Sequence, residues 1–204
     1  GSYAAYAQVS EQRHESACAA AGDSVRDLMS PRMQQAIRSA FAATGAPFAD
    51  SSFEHAETVL ARYADVLAKR TTAVCRDDHA PAIAKSCLAE HRTQLAAYVD
   101  SLAHADAQAV QRAPDVAWSM LDTTPCAHPE RAPTLSQADG QALAKLHVLA
   151  DQSKYREAAD GADALVKKAR ATHDQQLELA ALFELAENKQ ELDPFSIAPL
   201  YHQA

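Results

Sequence analysis

The chain has 204 residues, an apolar fraction of 48% and a formal net charge of −8 at pH 7. This apolar content can build a core, and only five glycines interrupt a composition rich in helix-forming residues, so we expect an all-α protein. Without a basic stripe, an acidic chain lacks the main energetic term for binding a phosphate backbone, which argues against nucleic acid as a partner.

No apolar run approaches the roughly 18 to 20 residues that a membrane-spanning helix needs. The chain begins Gly-Ser without an initiator methionine, which has the form of a cleavage scar. A targeting or membrane-spanning element could therefore have preceded the chain in a longer parent protein.

The first half of the chain predicts five helices. Residues 3 to about 21 have few breakers, and Gly22 is the expected stop. Ser30-Pro31 and Gly45 bracket a helix over about 31–44. A long helix follows the capping cluster Asp50-Ser51-Ser52 and reaches Cys75, and a matching antiparallel helix starts near Pro81. The fifth helix is predicted over about 106–121, where Pro114 either bends the helix or marks a late start.

The stretch from Asp122 to Thr134 contains three prolines and predicts a linker. We therefore place one domain, a four-cysteine helical bundle, at residues 1–134. The second domain, residues 135–204, is expected to hold part of a repeat array that is cut from a longer one.

Three helices are predicted in this second domain, over about 137–152, 155–171 and 173–190. Leu149 and Phe183 stand 34 residues apart, as do Leu146 and Ala180, which is the period of tetratricopeptide repeats. The signature is degenerate, because Ser153 replaces the usual turn glycine. The pattern alone leaves open whether these are true repeats or two helical hairpins of similar length.

Four cysteines, Cys18, Cys75, Cys87 and Cys126, are spread through the predicted bundle. Their even number and the absence of CxxC spacing favour disulfides, and therefore an oxidising, extracytoplasmic compartment. Cys75 and Cys87 flank a predicted helix–helix turn, which suits a staple across the hairpin. Two alternatives stay open: free buried thiols, and a zinc site formed by these two cysteines with His79 and His91.

Motifs for catalysis are missing from the sequence. GxSxG, HExxH, GxGxxG and the Walker glycine loop are all absent, and no pattern brings a nucleophile, a base and an orienting group together. The histidines other than His79 and His91 are expected to be isolated and to face solvent. We therefore predict no enzyme in this segment, no catalytic residues, no cofactor and no metal site.

Several segments in order resemble one family. They are Cys18, the Ser-Pro at 30–31, Phe-Ala-Ala-Thr-Gly-Ala-Pro-Phe-Ala at 41–49, Cys75, Cys87-Leu-Ala-Glu-His-Arg, and Cys126-Ala-His-Pro before the tetratricopeptide-like helices. The chain is similar to the extracytoplasmic C-terminal region of bacterial transmembrane serine/threonine protein kinases. In that family a four-cysteine helical unit follows the membrane span and leads into a repeat array.

The resemblance implies that Cys75 pairs with Cys87 and Cys18 with Cys126. It carries over no phosphotransfer residue, because the kinase motifs are absent from this chain. The function it implies is a non-catalytic sensor domain that binds a protein, peptide or envelope ligand, as part of a membrane-anchored kinase; a small-molecule ligand is left undefined. The rival hypothesis is a cytoplasmic tetratricopeptide-type adaptor whose cysteines are reduced, and either bind zinc or are free.

Overall fold

A computed structural model describes residues 2–122, Cys126 and residues 135–193, and every regular element in these ranges is helical. The predicted all-α class is therefore confirmed. A single 3₁₀ turn, Asp27–Met29, follows the first helix. The α-helices in chain order are α1 (Ser2–Arg26), α2 (Pro31–Ala43), α3 (Ala49–Arg76), α4 (Ala82–Leu102), α5 (Ala107–Asp122), α6 (Gln137–Asp151), α7 (Tyr155–Thr172) and α8 (Gln175–Leu192).

Two predicted helix boundaries are wrong. Gly22 does not end α1, which continues to Arg26. Instead Gly22 packs against α3, where an added Cβ would collide with Thr72 Oγ1 and would lie 3.0 Å from the Ala68 carbonyl oxygen. This glycine therefore allows close helix packing and does not act as a breaker.

The second boundary lies at the start of α3. Its N-cap residue is Phe48, so the expected capping cluster Asp50-Ser51-Ser52 occupies the first turn. Ser51 Oγ donates to the Phe48 carbonyl oxygen at 3.0 Å, and Ser52 is buried. The Ser51 hydroxyl therefore bonds to the backbone of the first turn from within the helix, instead of capping it.

One large core joins α1 to α5. Its fully buried side chains include Val25 from α1, Phe41 from α2, Leu67 from α3 and Leu95 from α4. Among these helices α3 is central, because it packs against α1, α4 and α5. The predicted antiparallel pair of α3 and α4 is present within this core.

α6, α7 and α8 form smaller apolar clusters of their own, built around buried residues such as Ala162, Ala181 and Leu185. α7 and α8 pack closely together, and α6 also lies against α4. Val148 of α6 belongs to the large core of the first five helices. The predicted linker and the boundary near 134 fall on residues outside the described ranges, apart from Asp122, which ends α5, and Cys126.

The 34-residue repeat stays a prediction. α6 and α8 begin at Gln137 and Gln175, 38 residues apart. The residues that stand 34 apart differ in burial, since Leu149 is half-buried whereas Phe183 is exposed. These helices form hairpins, but their burial does not repeat at that spacing.

Four cysteines are disulfide-bonded in the structure, but the pairing that the resemblance implied is wrong. Cys18 is bonded to Cys75, with their Cα atoms 5.4 Å apart, and Cys87 to Cys126 at 5.6 Å. The two disulfides close loops that follow one another along the chain, with sequence separations of 57 and 39 residues. In the expected pairing, the Cys75–Cys87 loop would have lain inside the Cys18–Cys126 loop. No staple joins Cys75 to Cys87.

The physical reason is helix register. α1 and α3 run antiparallel, with Arg26 hydrogen-bonded to Asp65 at one end and Arg76 paired with Glu15 at the other, which places Cys18 opposite Cys75. In the same way, Tyr98 of α4 donates to the Ala113 carbonyl oxygen of α5 at 3.0 Å. The Cys87–Cys126 bond follows the same antiparallel order, since Cys87 precedes Tyr98 and Cys126 follows Ala113.

Two disulfides fit an oxidising, extracytoplasmic location. Within the described ranges, no helix combines the length and the apolarity needed to span a bilayer.

Candidate functional site

A groove of about 630 Å³ opens between α4, the first half of α6 and α8. Part of its wall is apolar, with Leu143 from α6 and the exposed ring of Phe183 from α8. Acidic side chains from two helices, Glu90, Glu184 and Glu187, supply most of its charge. This combination of apolar surface with a few convergent polar groups is typical of a binding site.

The best-defined polar group in the groove is the carboxylate of Glu184. Only 4% of this side chain is exposed, and its Oε2 lies 2.9 Å from His147 Nδ1. The side-chain amide of the buried Asn188, one turn further along α8, donates to Glu184 Oε1 at 3.2 Å and to the Glu184 carbonyl oxygen at 2.8 Å. The hydrogen bond to Glu184 raises the pKa of His147, because it favours the protonated imidazole.

Two further carboxyl groups surround this pair. Burial raises the pKa of Glu90, although the nearby His147 opposes the shift. Burial also raises the pKa of Asp151, where the negative charge of Glu184 adds to the effect and His147 opposes it. Among the described residues, the Glu90 carboxylate accepts a hydrogen bond only from the neutral Gln94 amide, at a long 3.5 Å. It is thus a partly desolvated acid that a cation would stabilise.

A smaller cavity of about 210 Å³ adjoins the groove and shares His147 and Gln94 with it. Tyr63, Tyr98 and Asp151 line this cavity. Burial raises the pKa of Tyr98, whose hydroxyl already donates to a backbone carbonyl of α5. The two tyrosines fix the wall between the large core and α6.

No cysteine is among the described residues that line this groove. Of the four zinc ligands considered from sequence, Cys75 is bonded to Cys18, and His79 lies in an exposed turn where its backbone N–H donates to Asp77 Oδ1. Cys87 and His91 do share one face of α4, as expected. The structure adds Cys126 to them, since possible ligand atoms of Cys87, His91 and Cys126 lie within 4.8 Å of one another.

His147 was expected to be an isolated histidine that faces solvent. Its side chain is half-exposed, but it is not isolated, because its ring pairs with Glu184 of α8. The sequence did hold one signal for this site. Glu184 and Asn188 stand four residues apart on the face of α8 that also carries Ala181 and Leu185, so two polar residues interrupt an otherwise apolar stripe. The partners on α4 and α6 could not be identified without the tertiary packing.

Comparisons of the chain with protein-family models, with curated proteins and with solved structures found no match. The resemblance to the kinase-associated region therefore stays a prediction from the sequence motifs.

Proposed function

We propose that this chain is a non-catalytic, extracytoplasmic binding domain, whose groove between α4, α6 and α8 takes a segment of a protein or peptide with a basic side chain next to apolar ones. The observation that carries the proposal is the acidic, half-apolar wall around the buried Glu184. The two disulfides favour an oxidising compartment over the cytoplasmic adaptor that was the rival hypothesis.

The charge of the groove selects the class of ligand. Glu90, Glu184 and Glu187 outnumber the basic groups of the lining, Arg92 and His147. A lysine or arginine head group entering the groove would relieve the desolvation of the Glu90 carboxylate, while its aliphatic stem would pack on Leu143. The exposed Phe183 ring offers a face for a cation–π contact.

The resemblance extends this proposal to the parent protein. A groove of this kind, displayed by a membrane-anchored serine/threonine kinase, would act as its sensor, and ligand occupancy would be relayed through the bundle. The motifs quoted from the sequence support this context.

The test is calorimetric titration with two synthetic peptides that share apolar flanks and differ at one central residue, lysine or glutamine. We expect the lysine peptide to bind more tightly than the glutamine peptide. Glu90→Gln should weaken the binding of the lysine peptide by roughly tenfold, because it removes one charge-assisted hydrogen bond. Glu54→Gln, at an exposed position of α3, is the matched control and should leave binding unchanged.

The pH dependence gives a second readout. Between pH 5 and 8 the lysine peptide should bind more tightly as pH rises, because Glu90 ionises and His147 loses its proton, and both changes make the groove more negative. Equal binding of the two peptides, or equal affinity of the Glu90→Gln variant, would refute the proposed groove.

A further inference from the structure

A histidine lies beside the Cys87–Cys126 disulfide. His91 is one helical turn from Cys87 on α4, and the possible ligand atoms of Cys87, His91 and Cys126 all lie within 4.8 Å of one another. In a tetrahedral zinc site, with Zn–S bonds of about 2.3 Å and Zn–N bonds of about 2.0 Å, neighbouring ligand atoms are about 3.5 Å apart. Small side-chain rotations would therefore bring these three groups to the spacing that zinc requires, once the sulfur atoms are no longer bonded.

The imidazole of His91 is already oriented by a second residue. Tyr63 of α3 lies with its hydroxyl oxygen 2.8 Å from His91 Nδ1. Zinc-bound histidines usually make such a hydrogen bond through one ring nitrogen, which fixes the ring and leaves the other nitrogen for the metal. Tyr63 is 2% exposed and Cys87 is 5% exposed, so two of the participating side chains belong to the rigid core.

We propose that the reduced protein binds one zinc ion through the thiolates of Cys87 and Cys126 and the ring nitrogen of His91 that Tyr63 does not engage. Three protein ligands leave the fourth tetrahedral position to water or to an external ligand. The Cys87–Cys126 pair then has two states, a disulfide without metal and a dithiolate with zinc. This inference goes beyond the proposed binding groove and does not depend on it.

The exchange between the two states balances with an external reductant. A dithiol, or a phosphine with water, supplies two electrons to the Cys87–Cys126 bond and is itself oxidised to a disulfide or a phosphine oxide. The two sulfur atoms each take up a proton as the bond breaks. Zinc then displaces both protons as it binds the thiolates, so affinity should rise with pH.

The other disulfide provides an internal comparison. His14 Nε2 lies 3.6 Å from Cys18 Sγ, which is also a Cys–His pair one turn apart. Cys18, His14 and Cys75 do not form a three-ligand cluster at the spacing found around His91, in the part of the chain that the structure describes. His14 is exposed, and its ring is not held by a buried tyrosine.

The experiment uses the full chain reduced with a phosphine under anaerobic conditions and titrated with Co²⁺, followed by competition with Zn²⁺. Thiolate-to-cobalt charge-transfer absorption with one equivalent of metal is expected for the reduced wild type, and none for the oxidised protein. The Cys18→Ser/Cys75→Ser double variant should retain the signal. The Cys87→Ser/Cys126→Ser variant should lose it.

His91→Ala tests the third ligand and His14→Ala is its matched control. We expect His91→Ala to weaken zinc binding by more than about tenfold, Tyr63→Phe by roughly tenfold, and His14→Ala not at all. If reduction loosens the fold, the thermal midpoint of the reduced protein supplies the readout. Zinc should then raise it for the wild type but not for Cys87→Ser/Cys126→Ser.

Three results would overturn the proposal. They are the absence of metal binding to the reduced wild type, retention of the signal in the Cys87→Ser/Cys126→Ser variant, and equal affinities of the His91→Ala variant and the wild type.

Discussion

At Gly22, α1 comes close enough to α3 that a methyl group has no room. The added Cβ would meet Thr72 Oγ1 and the backbone carbonyl of Ala68, and the backbone cannot move aside as a flexible side chain can. Gly22→Ala should therefore destabilise the protein by about 1 kcal/mol, with the overpacking cost exceeding the helix-propensity gain. Urea unfolding of the purified variant measures this change.

Gly140 is the matched control, because it also lies within a helix but a Cβ there would meet no atom within 4 Å. Gly140→Ala should stabilise the protein by about 0.5 to 1 kcal/mol through helix propensity alone. Adding Thr72→Ala to Gly22→Ala should recover part of the loss. If both glycine variants change stability in the same direction, the close approach of α1 and α3 is not the reason for Gly22.

The Glu90 carboxyl is expected to cost stability at neutral pH. Its pKa is raised mainly by burial, so the folded state binds this proton more tightly than the unfolded chain does. The contribution of Glu90 is then most favourable below the pKa of an unfolded glutamate and is lost as pH rises through the raised folded value. Glu90→Gln should therefore raise the unfolding midpoint at pH 7, and the gain should shrink towards pH 4.

The comparison for Glu90→Gln is Glu54→Gln, whose carboxyl is exposed on α3 and should change the midpoint little at either pH. A loss of stability in Glu90→Gln at pH 7 would contradict the desolvated state assigned to this carboxyl. Stabilisation together with weaker binding of the lysine peptide would identify Glu90 as a residue that trades stability for ligand affinity.

At the scale of elements, the cysteines report helix register. One disulfide crosses the antiparallel pair of α1 and α3, and the other joins α4 to Cys126, four residues beyond α5. No disulfide closes the hairpin turn between α3 and α4. In the chain-entropy description, loops of 57 and 39 residues correspond to about 4 kcal/mol of stabilisation each. The first bond thus ties α1 to α3, its packing partner, and the second ties α4 to the chain that follows α5.

Tryptic digestion under non-reducing conditions distinguishes the two pairings, because cleavage after lysine and arginine separates all four cysteines. The structure predicts that peptide 14–26 is linked to 71–76, and that 86–92 is linked to 113–131. Mass spectrometry measures the two linked masses, and trapping free thiols first prevents exchange. Linkage of peptide 71–76 to peptide 86–92 would instead show a Cys75–Cys87 disulfide across the hairpin. Alkylation of all four cysteines in protein from its native source would remove the argument for an oxidising compartment.

The helices themselves could be predicted from the sequence, because each carries its own signal. The apolar stripe of α3, the cap at Ser136 and the proline at the first position of α2, Pro31, depend on residues near one another in the chain. The structure shows these helices within a few residues of the predicted bounds. Disulfide pairing and the His147–Glu184 contact depend instead on which helices become neighbours. Proximity along the chain suggested Cys75 with Cys87, whereas the packing of α1 on α3 decided otherwise.

For the whole molecule, the main question is how the last three helices are attached to the first five. Val148 of α6 is buried in the large core, and Gln152 donates to Ser101 Oγ of α4 at 3.1 Å. The ion pair of Lys154 with Asp106 closes the same contact at 2.8 Å. Val148 also lines the smaller cavity, and the groove itself lies between α4 and α6, so both cavities depend on this attachment.

We therefore expect the two parts to stay together after the chain between them is cut. A recognition sequence for a specific protease, inserted after residue 130, allows cleavage on the far side of Cys126, so that no disulfide joins the pieces. After cleavage without denaturant, both pieces should co-elute in size-exclusion chromatography, because separating them would expose the Val148 side of α6 and the facing surface of α4 to water. Two variants test whether this contact holds the pieces together. Val148→Asp should make the pieces separate, since it buries a charge in this contact. Lys167→Ala, which changes an exposed residue of α7 outside the contact, should leave the pieces together. Separation of the cut wild-type pieces would show that the covalent connection, and not the packing of α6 on α4, holds the groove together.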